Sequence, residues 1–358
     1  MTLSLLLSAL TMFSGFYPEF QTPSRGIGSE TTGGGVRAFS MGGVSAGIPD
    51  SNMVSLANPA AAAFTPNTGF AWGSKFRDTP DPDWTDASVF PEVSVIMPLP
   101  LGLQFSALLS DRSRLVVEDQ IQFENGSGEI NWFGSTAESY LGLTVKASES
   151  LAFSAGGRCF FGSAHGDAVV LIDTPGPYLP ITSQYRDDIS LFPSWGITAG
   201  AFFTKGIISG GASITTDRDG SMDLHRDYIG SREADTTYRY SVPGEFNAGI
   251  SARIHPQVLI GVDYFARKAL KLLGSPTEAG SWTAAGAEYL PGSGFRIRGG
   301  VRTMDGLWRD GAIRYSGGIG YDLGGGAAAI DAGVSWESWS EQSETVLFIG
   351  LRASENWL

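Results

Sequence analysis

From Thr68 onward the chain alternates apolar and polar residues. In Gly244 to Ile254, Phe246, Ala248, Ile250, Ala252 and Ile254 lie on one face, and Glu245, Asn247, Gly249, Ser251 and Arg253 on the other. Phe295, Ile297 and Val301 stand against Arg296, Arg298 and Arg302. Leu141, Leu143, Val145 and Ala147 alternate with Tyr140, Gly142, Thr144 and Lys146. A period of two belongs to a strand with two unlike faces. Runs of this kind predict about fourteen strands. They fall at 68–77, 88–98, 102–112, 136–147, 150–162, 192–204, 206–217, 243–254, 257–269, 280–290, 294–304, 312–323, 326–338 and 343–353. Each has roughly the 9–11 residues that a tilted strand needs to cross a bilayer.

The connections alternate in length. Those after even strands are short, as at Leu99-Pro100, Ser148-Glu149, Lys205-Gly206 and His255-Pro256. Those after odd strands run long, at 113–135, 163–191 and 218–242. Short turns on one side and long loops on the other characterise a transmembrane antiparallel β-barrel, with both termini on the short-turn side.

Ahead of the strands, Gly33 to Phe64 (GGGVRAFSMGGVSAGIPDSNMVSLANPAAAAF) has neither pattern. It is apolar but broken by Gly, Ser, Asn and Pro, so it cannot hold a fold alone. It reads as a plug that the barrel must enclose. The division expected is 1–18 a possible signal peptide, 19–66 an N-terminal plug or hatch in the lumen, and 67–358 the barrel. Met1 to Phe16 carries a short apolar stretch, with no preceding Lys or Arg.

Composition supports the membrane reading. Only 17% of the 358 residues are charged, against about a quarter in ordinary soluble domains, while no internal run of 18 or so apolar residues supplies a spanning helix. A net charge of −13 argues against nucleic acid. The single Cys159 cannot form an internal disulfide and reads as an apolar filler.

The segment also resembles a family. Gly35-Val-Arg37-Ala38-Phe-Ser-Met41-Gly42-Gly43, then Ile48-Pro-Asp50, then Asn58-Pro59-Ala60, is similar to the N-terminal hatch of the FadL-type outer-membrane transport family of long-chain fatty-acid and hydrocarbon channels. The resemblance implies fourteen strands around a threaded plug. It further implies a channel for uptake or export of hydrophobic small molecules in the bacterial outer membrane, with a hydrophobic ligand and outer-membrane lipid as partners. Gating residues carried over are Arg37, Met41, Gly42, Gly43, Asp50, Asn58 and Pro59. The Met-Gly-Gly form resembles a subgroup that serves as accessory barrels of a secretion system, so a scaffold binding secretion-system proteins is the alternative. Asp50 is followed by Ser51 where the family has a second Asp. Trp357 is penultimate, where the family's assembly signal ends in an aromatic residue.

Within the barrel, Arg253, Arg267, Arg296, Arg298, Arg302 and Arg314 fall on the inward phase. They could hold a ligand carboxylate in two-point bonds, or pair with acidic residues, as interior charges need partners. In the long loop 163–191, Val169, Leu171, Tyr178, Leu179 and Ile181 are too apolar for free solvation and form a candidate external groove. No cofactor is implied; the acidic clusters at 78–86 and 217–223 hint at divalent cations, but the second is only a partial calcium-loop spacing that lacks the full ligand set, so no metal site is assigned. Gly43-Val-Ser45-Ala-Gly47 matches the nucleophile-elbow pattern outside its strand-to-helix context, so no enzyme is expected.

Overall fold

The computed structural model describes residues 34–49, 53–65, 67–78, 92–123, 126–172, 181–228, 234–268, 271–272, 275–276, 279–306, 311–339 and 342–355. Among them, fourteen long strands form one closed antiparallel barrel. They are β1 (Thr68–Asp78), β2 (Glu92–Pro98), β3 (Leu103–Phe123), β4 (Gly126–Ser148), β5 (Leu151–Ile172) and β6 (Ile181–Lys205). Next come β7, in two segments (Ile208–Thr215 and Arg218–Tyr228), and β8, also in two (Ala234–Val242 and Glu245–His255). The ring ends with β9 (Val258–Arg267), β10 (Gly280–Gly292), β11 (Phe295–Asp305), β12 (Ile313–Leu323), β13 (Ala328–Trp339) and β14 (Gln342–Glu355). The seam pairs β1 with β14, from Thr68 opposite Glu355 to Asp78 opposite Thr345.

The alternation decides which way each side chain points. Ile197, Ile214, Ile319, Val334 and Leu351 face outward and are exposed. Only hydrocarbon solvates such a belt at low cost, so the barrel is a membrane-spanning one. Ser154, Ser213, Asn247, Ser251 and the buried charges face inward.

Of the aromatics near strand ends, Phe70, Trp195, Phe203, Tyr289, Tyr321 and Trp336 are exposed on the outer wall. Trp282 and Phe348 face inward instead. Trp282 stacks on Phe265, with ring centroids 5.4 Å apart, and Phe348 meets Phe39 edge-on.

The stretches 113–135, 163–191 and 218–242 differ from expectation. Their described residues are not loops but continuations of β3 to β8, which project as paired hairpins past the belt. Register shifts between Asp111 and Ser113 and between Phe160 and Gly162 interrupt the ladders. Each extra residue flips the phase of the rest of its strand, so a period of two read along the chain breaks there although the strand does not.

The N-terminal segment lies inside the ring. Helix α1 (Gly35–Ser40) packs against β1 and β11 to β14, and the 3-10 helix Pro59–Phe64 packs against β3 to β7. The turn between them meets β8 and β9. Contacts on opposite sides of the ring place residues 34–49 and 53–65 in the lumen. The approach is backbone to backbone: a Cβ on Gly300 of β11 would stand 2.1 Å from the carbonyl carbon of Met41. Gly42 has φ +76°, a left-handed conformation that a side chain would strain. The apolar core is shared by segment and wall. Met41, Val44 and Ile48 pack with Leu259, Phe265 and Trp282, and Met53, Val54 and Leu56 pack with Ile96, Leu108 and Tyr140.

Candidate functional site

Three wall carboxylates grip the inner segment. Glu92 of β2 accepts from the N–H groups of Gly34 and Gly35 at 3.1 and 2.9 Å, capping the start of α1. Glu288 of β10 holds Arg37, with Nη2 to Oε1 at 2.8 Å and Nε to Oε2 at 3.1 Å. Asp263 of β9 accepts from the N–H groups of Ser45 and Ala46, both at 2.6 Å. Wall hydroxyls add two bonds: Ser251 donates to the Gly47 carbonyl at 2.7 Å and Ser213 to the Ala57 carbonyl at 2.6 Å.

The predicted gate residues are spread along this segment. Met41 is fully buried against β10 and β11, and Gly42 and Gly43 form the turn that follows α1. Asn58 donates to the carbonyls of Ala46 and Ala201 at 3.1 and 3.0 Å while its Oδ1 accepts from Ala60 N–H, which starts the 3-10 helix with Pro59 in its first turn. Here the Asn supplies a cap and the Pro a preset φ. Asp50 lies outside the described residues. Ser45, central in the G-x-S-x-G pattern, bonds to Ser55 and Gly43, whereas His165, His225 and His255 stand on the hairpins and a turn.

Charges line the lumen in paired clusters. Arg298 reaches Glu288 at 2.8 Å and Asp331 at 2.5 Å, and Arg352 reaches Asp331 at 2.7 Å, extending the Arg37 contact into a chain of three guanidiniums and two carboxylates. Arg302 and Arg314 converge on Glu337. Arg296 pairs with Asp322 at 2.6 Å near the short-turn rim. Arg267 is buried on the inward face of β9. Arg253 departs from the lumen reading. It is exposed beside the β8–β9 turn and donates to the Pro256 carbonyl at 3.3 Å, because β8 is irregular between Ala252 and His255.

A second cluster escaped the sequence reading. Arg158 meets Glu138 at 3.0 Å and Glu245 at 2.7 Å, Arg218 meets Glu138 at 2.6 Å, and Arg112 meets both carboxylates. Arg158 and Arg218 are completely buried. Above them the hairpins turn inward Phe160, Met222, Tyr240 and Val242, with Arg218 6.0 Å from the Phe160 ring. The signal was present: Glu138 and Arg158 fall on the inward phase of the strands expected at 136–147 and 150–162.

The external groove residues are arranged differently from a loop. Val169 and Leu171 lie on β5, and Ile181 opens β6 opposite Ile172. Tyr178 and Leu179 lie outside the described residues.

No family model matches the chain, and no curated protein matches it in sequence. Solved structures do match in fold. The toluene transporter TbuX of Ralstonia pickettii superposes with a TM-score of 0.64 at 14% identity, covering 90% of this chain and 98% of that one. A FadL homologue of Pseudomonas aeruginosa gives 0.64 at 13% identity, covering 92% and 100%. The toluene transporter TodX of Pseudomonas putida gives 0.63 at 14% identity, covering 93% and 100%. With fourteen strands closed around an amino-terminal segment, the chain shares the fold of the FadL-family hydrocarbon channels.

Proposed function

We propose that the protein is an outer-membrane channel for hydrophobic small molecules, and that residues 34–65 are its movable plug. The observation that carries this is how the segment inside the barrel is held: through hydrogen bonds and one ion pair, backbone against backbone, with no disulfide among the described residues. A stopper of that kind can shift as a unit between two packings. The fold's hydrocarbon-channel neighbours support the ligand class. On the long-hairpin side, Phe160, Met222 and Tyr240 form a buried apolar cluster beside Arg218. Among the described residues the Arg218 Nε has no acceptor, and a ligand with a carboxylate head would reach it only when the hairpins part.

Proteoliposomes test the reading. Uptake of toluene and of a labelled long-chain fatty acid is followed with the intact protein, with residues 34–65 deleted, and with Arg218→Ala. Uptake faster than in protein-free vesicles and altered by the deletion is expected. Selective loss of the fatty acid in Arg218→Ala would identify the acid's binding end. Uptake indifferent to protein and deletion alike refutes the channel.

One observation favours a second reading, an accessory barrel that holds partner proteins by its hairpins. The wall arginines of the lumen answer wall carboxylates, as Arg302 and Arg314 do Glu337, which suits a rigid interior. The same uptake experiment separates the two.

A further inference from the structure

We propose that Asp263 is the latch that positions the turn 44–47 of the plug, and that it sets how readily this part of the plug leaves the wall. The proposal rests on the reading of residues 34–65 as movable. Of the three carboxylates that grip the segment, two keep a cation when the segment departs: Glu92 retains Lys75 at 3.7 Å, and Glu288 retains Arg298 at 2.8 Å. Asp263 does not. Among the described residues it faces no Lys, Arg or His, and its hydrogen-bonded oxygen is held by the peptide N–H groups of the turn. Its other oxygen, Oδ1, is buried without a partner.

A buried carboxylate without a cation is costly unless N–H groups satisfy it. Successive amides pointing at one oxygen do so, as in an anion-binding nest. Those amides exist at this spot only while the turn is seated. Withdrawing residues 44–47 therefore strips the carboxylate of partners, whereas the Arg302–Glu337 pair within the wall persists wherever the plug goes. The wall is shaped for the contact. A Cβ on Gly249 would stand 1.9 Å from Asp263 Oδ1 and 2.7 Å from the Gly47 nitrogen, so only glycine lets the acid and the turn share this place. Ser251 completes the grip by donating to the Gly47 carbonyl.

The test uses the full chain in liposomes with Cys159→Ala, and Ser45→Cys as the reporter, because that change keeps the peptide N–H. Labelling by a water-soluble maleimide is timed without ligand, with barrel melting measured alongside. Asp263→Asn and Asp263→Ala are expected to label about tenfold faster or more, from loss of charge-assisted bonds, with the melting temperature unchanged. Ser213→Ala, which frees the Ala57 end instead, should leave Ser45→Cys labelling near its original rate. Labelling of both Asp263 variants at the parent rate overturns the latch. So does faster labelling accompanied by lower melting and equal exposure of wall positions, which is general loosening. Toluene uptake in the same vesicles keeps the two ideas apart: faster labelling with no protein-dependent uptake sustains the latch and removes the channel, and the converse removes the latch alone.

Discussion

Arg37 and Glu288, 251 residues apart in the chain, meet in a two-point ion pair inside the barrel. The same carboxylate also takes Arg298 of the wall. The two partners are therefore not equivalent. Glu288→Ala takes the carboxylate from Arg37 and one of the two carboxylates from Arg298, both buried, and is expected to cost about 3–5 kcal/mol. Arg37→Ala leaves Glu288 with Arg298 and should cost about 1–2 kcal/mol. Unfolding midpoints in urea, measured in detergent micelles, check the order.

Gly300→Val should expel the segment without opening the barrel. The first added carbon already collides with Met41 backbone at 2.1 Å, and backbone cannot swing aside as a side chain can. Gly299→Ala, one residue away on the other face, meets nothing nearer than 3.9 Å and serves as control. Limited proteolysis of residues 34–65 should be accelerated in the first variant only, with both still migrating as folded barrels on unheated gels.

Ile319 stands near the middle of β12 and is among the most exposed of the outward apolar residues, at 61%. Ile319→Arg should lower the stability of the lipid-inserted barrel by about 2–4 kcal/mol, the cost of a cation at the bilayer midplane. Folding titrations into phosphatidylcholine vesicles measure it. A variant as stable as the parent would place this face outside hydrocarbon.

Glu138 answers Arg112, Arg158 and Arg218 at once. Glu138→Gln should destabilise by about 3 kcal/mol or more, because the cations keep too few anions. Adding Arg158→Met should recover part of that loss, a non-additivity expected of one network. A double-mutant cycle on urea unfolding gives the coupling.

Much of the barrel was legible in the sequence. The strand expected at 243–254 is β8's second segment at 245–255, and that at 312–323 is β12 at 313–323, because one buried face imposes alternation on each. Legibility stopped at the bulges. Beyond Asp111 in β3, and between Leu191 and Ser194 in β6, the phase flips, and both faces of a hairpin standing in water can be polar, so nothing in residue order marks the strand. The site was readable only in its types. That Arg298 and Arg302 face inward follows from their phase. That Asp263 would lie under Ser45 and Ala46 does not, since the segment has no period to fix its register against the wall.

The first strand of the ring comes directly after the inner segment, and that strand is stitched to the last one along eleven residue pairs. Closure thus waits for the final stretch of polypeptide. The inner segment must already be seated when this stitching finishes, or else it must thread in afterwards through the short-turn mouth. A chain cut before residue 342 would leave two bare strand edges flanking an unfastened inner segment. In this architecture the order of assembly, and not only the finished contacts, governs where the inner segment comes to rest.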